Sequence, residues 1–448
     1  MSAIQSFKVL GLGLVCGIFI WIGVELGSWR FTDIYATLTG ARAPNPPLDD
    51  FAVFYIAGSL VREGRGGSLY DLDVVRTEES KLYQRGPSDF EVLPFFNPPA
   101  FAAAMAPLSA LSFELAAGVF VGLGLGVFAF AALVLWRCSS LGMPEKATIL
   151  LGVLSSQAFL DTIFHGQITF FVLAAIVVAF AALTSGRWFG AGLALSVTII
   201  KPNLLVVPGI LFVWQKQWRI VLGLMSGVCL WLVVSLAVAG PKGLLAYVNL
   251  LREAATWDDR TGVGVYWMYG WNALARQLVG PDKHWVVTLI AGLLTALTVV
   301  LCALAFRSRS PTDPSHWTAQ FAALIPGTIL SSPHAYRQEV LLLIIPAMLL
   351  PSATHGRTRR IVWILLAGLW IAVASQFPML DTLRVNLAIP LMAALLLVAA
   401  LSASQASRAS AARESAAHLF ASGGAPTAAG IEPRLLAPTT PRSGPPHA

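Results

Sequence analysis

Residues 221–239 read VLGLMSGVCLWLVVSLAVA and carry no charged side chain. About twenty apolar residues are enough for a helix to cross the hydrocarbon layer of a bilayer. Further runs with few or no charges lie at residues 9–29, 285–306 and 361–375. Backbone groups in lipid must hydrogen-bond within their own segment, and these runs lack the apolar and polar alternation of a membrane barrel. The sequence therefore predicts an all-α, polytopic membrane protein.

The composition supports this fold class. Of the 448 residues, 56% are hydrophobic and 12% are charged, which lies outside the usage of soluble globular proteins. The net charge of +7 is spread over short connections rather than collected on one surface, so we predict no nucleic-acid partner. The cysteines stand singly and predict neither a disulfide framework nor a zinc site; they are Cys16, Cys138, Cys229 and Cys302.

Basic residues mark every second connection, as cytoplasmic turns do. Going back from the C-terminus, these turns hold Arg408 and Arg413, then Arg357, Arg359 and Arg360, then Arg307 and Arg309, then Lys216 and Arg219, and then Arg187. The first apolar run lacks a signal-peptide cleavage pattern, so it is predicted to be the first transmembrane helix. With residues 97–110 as a short re-entrant or interfacial helix, the pattern predicts about twelve transmembrane helices, with eleven or thirteen as alternatives.

The sequence divides into two parts. Residues 1–402 form the predicted transmembrane domain, in which residues 30–96 are a first extracytoplasmic loop with juxtamembrane helices. Residues 403–448 are rich in alanine, serine, proline and glycine and hold too few apolar residues for a core. We therefore predict a disordered cytoplasmic tail there.

The first extracytoplasmic loop contains two adjacent carboxylates, Asp49 and Asp50, directly after Pro46-Pro47 and before a helical stretch at residues 51–62. A proline turn that leads into an aspartate is typical of a helix start. One interpretation is that an aspartate only caps this helix; the other is that one caps it and the second points into a site. Asp71 is predicted to cap a following helix that ends near Tyr83.

Two further polar positions are predicted at helix ends on the same extracytoplasmic side. His165 and Gln167 lie between two apolar runs, and Lys201-Pro202 interrupts another run. Both have simpler interpretations. Lys201 can extend from a helix end to the membrane interface, and His165 and Gln167 can bond helix-end carbonyls.

These motifs occur in a definite order over roughly residues 10–400: Asp50-Phe51 with Tyr55, Tyr70-Asp71, Pro98-Pro99, Pro107-Leu108, Gly166-Gln167, Lys201-Pro202 and Ser332-Pro333-His334. The series resembles glycosyltransferase family 87, whose members have the polytopic GT-C architecture. The resemblance implies transfer of a sugar, mannose or arabinofuranose in the best-known cases, from a polyprenyl-phosphate donor. It implies an acceptor outside the cytoplasm and a site on the extracytoplasmic face of a bacterial plasma (inner) membrane. Where related sequences place an acidic residue soon after Ser-Pro, residues 335–339 read AYRQE.

The resemblance assigns the role of general base to Asp50, because a carboxylate at the membrane surface can take the proton of an acceptor hydroxyl. The leaving polyprenyl phosphate needs cations, which we expect from Lys201, His334 and Arg337. Alternatively, His334 is a plain turn residue and Arg337 a surface cation. Other candidate contacts to sugar or phosphate are Asp49, Tyr55, Asn97, His165, Gln167 and Tyr336. A single inverting displacement needs one base, and we predict no metal ion and no cofactor besides the lipid-linked donor.

Several residues stand second to these candidates. Tyr266, Trp267, Tyr269 and Trp271 are either an interfacial aromatic belt or a sugar platform over the cavity. Glu25 and Asp161 lie near outer helix ends, where a charge is costly unless it is exposed or partnered.

Two functions of other classes fit the same pattern. A transporter or flippase for lipid-linked sugars also has broken helices and buried charges, but its polar groups should lie near the midplane rather than at one end. A non-catalytic envelope scaffold is the other alternative, against which the presence of Asp50, Lys201 and His334 counts. The predicted partners are a polyprenyl-phosphate sugar, a glycan or glycolipid acceptor and membrane lipids.

Overall fold

A computed structural model describes residues 48–84, 86, 92–254, 268–280, 282–306, 314–374 and 386–422. Within these residues the chain consists of α-helices and short 3-10 turns without a β-strand, and an isolated bridge pairs Met268 with Tyr336. The predicted all-α fold class is confirmed. The chain divides into two compact units, Met1–Ser407 and Arg408–Ala448, and the packing described below belongs to the first.

The described chain contains both long apolar helices and short helices. The α-helices are α1 Asp49–Arg62, α2 Leu72–Tyr83, α3 Pro99–Met105, α4 Phe113–Cys138, α5 Met143–Leu154, α6 Gln157–Phe164, α7 Thr169–Thr184, α8 Trp188–Ser196, α9 Val206–Trp214, α10 Trp218–Ala254, α11 Trp271–Val279, α12 His284–Ala305, α13 Pro314–Ser331, α14 Ile344–Ala353, α15 Gly356–Ala374 and α16 Ala388–Ser422. The 3-10 turns are Gly66–Ser68, Leu108–Ala110, Val197–Ile200, Pro202–Leu204 and Arg337–Leu343. Several of these turns connect consecutive helices, and polar residues of the site lie next to them.

Four of the described helices are long and apolar enough to cross a membrane: α4, α10 over Trp218–Glu253, α12, and α16 over Ala388–Gln405. The pair α5 and α6, bent by 47°, makes a fifth if it counts as one span. The runs at 221–239 and 285–306 are thus confirmed as helices of spanning length. The predicted first span at 9–29 lies outside the described residues, and the count of about twelve stays a prediction.

The helix α1 begins without the aspartate cap that the sequence predicts. Its N-cap is Leu48, with a φ of 66° and no capping side chain, and Asp49 and Asp50 occupy its first turn. The chain enters α1 through contacts with another helix end, so no local side-chain cap is required. The second predicted helix start is confirmed, because the Asp71 carboxylate caps α2 by accepting the N–H groups two and three residues further on.

Aromatic side chains fix α1 against α3 and α4. The ring of Phe51, which is fully buried, lies 4.9 Å from that of Phe120, and Phe54 meets Phe101 edge-on at 5.1 Å between centroids. Such pairs contribute about 0.5–1.5 kcal/mol each beyond the area they bury. The first turn of α1 is therefore held inside the protein rather than on a free surface.

Two of the breaks in the apolar runs lie at prolines, because proline lacks the N–H that a helix interior needs. The short insert predicted within residues 97–110 is present as α3, which begins at Pro99. The predicted break at Lys201-Pro202 is also confirmed, since α8 and α9 are separated there by two 3-10 turns. A further bend, of 47°, separates α5 from α6.

The tail is more regular than its composition suggested. Helix α16 continues to Ser422, so residues 403–422, predicted to be disordered, are helical. The segment is rich in alanine, which has the highest helix propensity of all residues, and contains no proline or glycine. Residues 423–448 lie outside the described residues.

Candidate active site

The start of α1 is fixed to the end of α6 by two backbone hydrogen bonds. The N–H of Leu48 donates to the carbonyl of Phe164 at 2.7 Å, and the N–H of Phe51 donates to the carbonyl of His165 at 3.1 Å. First-turn N–H groups and last-turn carbonyls lack partners within their own helices, so the two helix ends satisfy each other. This junction brings both carboxylates of α1 next to the turn that follows α6.

We expect Gly166→Ala to disrupt this junction. Gly166 has a φ of 64°, and a β-carbon there would lie 2.5 Å from the Cβ of Phe51. Left-handed strain and overpacking each cost about 1–3 kcal/mol, so we expect a loss of about 2–4 kcal/mol in the free energy of unfolding. Denaturant unfolding in detergent measures it. The matched control is Gly186→Ala, where φ is 71° but nothing lies within 4 Å; equal losses at both positions would contradict the clash.

The side chains at the junction form a hydrogen-bonded network. His165 Nδ1 lies 2.7 Å from Asp49 Oδ1, and Gln167 Nε2 donates to Asp50 Oδ2 at 2.5 Å. The same Asp49 oxygen accepts the backbone N–H of Asp50 at 2.9 Å. The predicted site residues on α1 and on the turn after α6 therefore meet, and His165 and Gln167 bond carboxylates rather than helix-end carbonyls.

Burial raises the pKa of Asp50 to about 6, and the neighbouring Asp49 carboxylate adds to this effect. His165, the hydrogen bond from Gln167 and the charge of Lys201 oppose it. A carboxyl group with a pKa near neutrality is well suited to accept and release a proton, which is the requirement for a general base.

Lys201 lies at the break before α9 and forms a buried ion pair with Glu339. Its ammonium group also approaches Thr169 Oγ1 at 3.4 Å, while the other carboxylate oxygen of Glu339 accepts the backbone N–H of Tyr336 at 2.7 Å. The sequence analysis did not propose Glu339 as a site residue. The signal was the acidic residue at the end of the AYRQE segment.

Arg337 is buried and pairs with Asp161 at 2.9 Å. Gln157 donates to the second Asp161 oxygen at 3.2 Å. Arg337 is therefore not the surface cation of the simpler interpretation, and its guanidinium is engaged with a carboxylate of α6. Asp161 was ranked below the main site candidates in the sequence analysis. Its carboxylate has the charged partner that a buried charge near a helix end requires.

His334 and Tyr336 lie in the segment that leads into the Arg337–Leu343 turn. Burial, with a smaller contribution from the charge of Arg276, lowers the pKa of His334, so its imidazole is neutral at pH 7. His334 Nε2 is buried and has no hydrogen-bond partner among the described residues. Burial raises the pKa of the Tyr336 phenol, and the charges of Glu339 and then Asp50 raise it further. Tyr336 thus lies within electrostatic reach of the junction.

Two predicted contact residues have structural partners. Asn97 is buried, donates its side-chain amide to the carbonyl of Ile200 at 2.7 Å and accepts the Tyr70 hydroxyl on its own carbonyl at 2.8 Å. The hydroxyl of Tyr55 donates to the carbonyl of Leu111 at 2.8 Å. Asn97 therefore ties α3 to the turn before Lys201, and Tyr55 ties α1 to the segment before α4.

The aromatic residues predicted as a belt or a platform are partly described. Tyr269 and Trp271 are buried, and Trp271 Nε1 donates to Thr298 Oγ1 at 2.8 Å, which anchors α11 to α12. Tyr266 and Trp267 lie outside the described residues, as does Glu25.

The absence of a metal ion from the site stays a prediction. Asp49, Asp50 and His165 each offer an atom within 4.8 Å of the others. Direct hydrogen bonds account for much of this proximity, since Asp49 Oδ1 accepts two donors and Asp50 Oδ2 accepts one. The cluster is a hydrogen-bonded network around a carboxylate of raised pKa.

Apolar helices of spanning length, with carboxylates and a lysine gathered where helices end, define a polytopic membrane protein with an enzyme-like polar site. The chain belongs to glycosyltransferase family 87, whose family model matches residues 95–333. It is therefore a membrane glycosyltransferase by family. Comparisons with curated proteins and with solved structures gave no match.

The matched segment covers only part of the site. It includes Asn97, His165, Gln167 and Lys201 and ends within the Ser-Pro-His motif. Asp49 and Asp50 precede it, and Tyr336, Arg337 and Glu339 follow it. The hydrogen bonds and ion pairs described above join these outer residues to the matched segment.

Proposed function

We propose that this glycosyltransferase moves a sugar, with mannose as the first candidate, from a polyprenyl-phosphate donor to a hydroxyl group of a glycan or glycolipid. The observation that carries the proposal is the Asp50 carboxyl, half-buried at the start of α1 with its pKa raised to about 6. The family supplies the reaction class, and the junction between α1 and α6 supplies a base of suitable proton affinity.

In the proposed reaction, Asp50 takes the proton of the acceptor hydroxyl while that oxygen attacks the anomeric carbon. The bond from this carbon to the phosphate oxygen breaks, and the phosphate leaves with the electron pair. One base and one displacement suffice, and the anomeric configuration inverts. No covalent enzyme intermediate is required, and we propose that no metal ion takes part.

The leaving phosphate needs hydrogen-bond donors and positive charge. Lys201 supports this role best, because an ammonium group has three N–H donors and the charge of Lys201 acts on Asp50. His334 fits as a neutral hydrogen-bonding group rather than a cation. Arg337 fits less well as a phosphate contact than as a support for the turn that carries Tyr336 and Glu339.

The setting that we propose is the plasma (inner) membrane of a bacterium, with Asp50 on the extracytoplasmic face, where lipid-linked donors present their sugars. Residues 1–402 are proposed to form the catalytic membrane domain. The competing function is a transporter or flippase for lipid-linked sugars, which would move the lipid without forming a covalent product.

The test is sugar transfer by the purified full-length chain in detergent with EDTA present. The donor is synthetic polyprenyl-phosphate mannose with a radioactive sugar, and the acceptor is an alkyl mannoside. An inverted, covalently linked product supports the proposal. Lipid scrambling in liposomes without any product favours the flippase, and activity that appears only when a divalent ion is added contradicts the metal-free mechanism.

We expect the rate of sugar transfer to decrease at acidic pH, with an apparent pKa of about 6. The base must be ionised to accept a proton, so activity is present above this pKa and is lost as the pH decreases through it. The measurement is kcat/KM for the acceptor between pH 4.5 and 8.5. An acid limb near pH 4, the range of an unperturbed aspartate, would exclude Asp50 in its present environment as the titrating group.

A further inference from the structure

Asp49 and His165 surround the proposed base without being needed for the proton transfer itself. Asp49 uses a single oxygen to accept both the backbone N–H of Asp50 and the imidazole nitrogen of His165. These contacts join the first turn of α1 to the C-cap of α6, and the side chains of Asp49 and His165 are only 33% and 27% exposed. A change in either residue therefore alters the surroundings of the Asp50 carboxyl.

Four segments bring charged or titratable groups towards Asp50, whereas α3 and α4 present aromatic rings to α1. These groups are Asp49 from α1, His165 from the turn after α6, Lys201 from the break before α9, and Tyr336 from the segment before the Arg337–Leu343 turn. Lys201 also pairs with Glu339, and Arg337 pairs with Asp161. Asp49 and His165 differ from the others in that they contact each other directly beside Asp50, and their charges act on it in opposite directions.

We propose that Asp49 and His165 are positioning residues that act as a counterbalanced pair, holding the Asp50 carboxyl in place and setting how readily it releases its proton. The inference rests on the proposed role of Asp50 in the transfer reaction. Asp49 favours the protonated form of Asp50 by like-charge repulsion, and the imidazolium of His165 favours the ionised form.

The proposal gives opposite shifts for two conservative variants. Asp49→Asn keeps an oxygen that can accept both hydrogen bonds but removes the negative charge, so the titration midpoint of Asp50 moves down by about one pH unit. His165→Asn keeps a donor close to the position of Nδ1 but removes the positive charge, so the midpoint moves up by about one unit. In the double variant the two shifts cancel, and the midpoint returns close to that of the wild type.

Two measurements report this midpoint. The first is the acid limb of kcat/KM with polyprenyl-phosphate mannose and the alkyl mannoside. The second is pH-difference infrared spectroscopy of the carboxyl band that Asp50→Asn removes, which needs no turnover. If transfer is absent but the band shifts in opposite directions, the proposed function fails and the pairing stands. If transfer depends on Asp50 but both variants shift the midpoint the same way, or neither shifts it, the pairing is overturned.

Controls separate this role from a general loss of structure. Asp73→Asn on α2 and His355→Asn before α15 remove the same charges at exposed positions, and neither should move the midpoint. Unfolding in detergent checks that each variant is folded, and His165→Gln replaces His165→Asn if the latter is not. A merely structural role predicts equal loss of activity at every pH with an unchanged midpoint, which would also overturn the proposal.

Discussion

Asp50→Asn is expected to lower the rate of sugar transfer by about 10²- to 10⁴-fold, the range typical for removal of a general base. Asparagine has nearly the same shape as aspartate, so it can still occupy the first turn of α1 and face Gln167. It cannot take a proton from the acceptor hydroxyl. The effect should therefore fall on kcat, with little change in donor binding, and a single-turnover assay with labelled donor measures it.

The matched control for Asp50→Asn is Asp73→Asn, which removes an exposed carboxylate from the first turn of α2. This variant should keep wild-type activity. Full activity in a well-folded Asp50→Asn protein would exclude Asp50 as the base. The neighbouring Asp49 would then be the next candidate for that role.

Arg337→Met is expected to lower the free energy of unfolding by about 3–5 kcal/mol, because it leaves the buried carboxylate of Asp161 without its charged partner. The two side chains are 9% and 5% exposed, so water cannot replace the lost interaction. Unfolding in detergent at neutral pH measures the loss.

Two further variants show whether the loss comes from the unpaired charge. Adding Asp161→Asn to Arg337→Met removes that charge and should recover part of the stability. Arg359→Met breaks an ion pair with Glu145 whose side chains are 35% and 36% exposed, and it should cost no more than about 1 kcal/mol. Equal losses for the Arg337 and Arg359 variants would contradict a buried pair.

The sequence was sufficient for features that depend on neighbouring residues. The charge-free run at 221–239, the proline break at Lys201 and the Asp71 cap each arise from local composition or from a side chain bonding its own backbone. Each of these three is present in the structure. The order of short motifs was enough for the family, which the family model confirms.

The partners of the site residues could not be predicted, because they come from distant parts of the chain. Nothing near Lys201 in the sequence indicates Glu339, and nothing near Arg337 indicates Asp161. The N-cap of α1 was mispredicted for the same reason, since its N–H groups bond the end of α6 instead of a nearby side chain. A buried charge predicts that a partner exists, but only the fold decides which residue it is.

The Arg337–Leu343 turn is held on two sides by the ion pairs of Arg337 with Asp161 and of Glu339 with Lys201. Separating the turn from α6 or from the Lys201 break would expose unpaired charges in an apolar surrounding, which is costly. These three segments should therefore move as one rigid body during turnover. If the donor is the proposed polyprenyl-phosphate sugar, the segments that move to admit its lipid tail must then lie elsewhere in the chain, and their motion can leave the spacing around Asp50 unchanged.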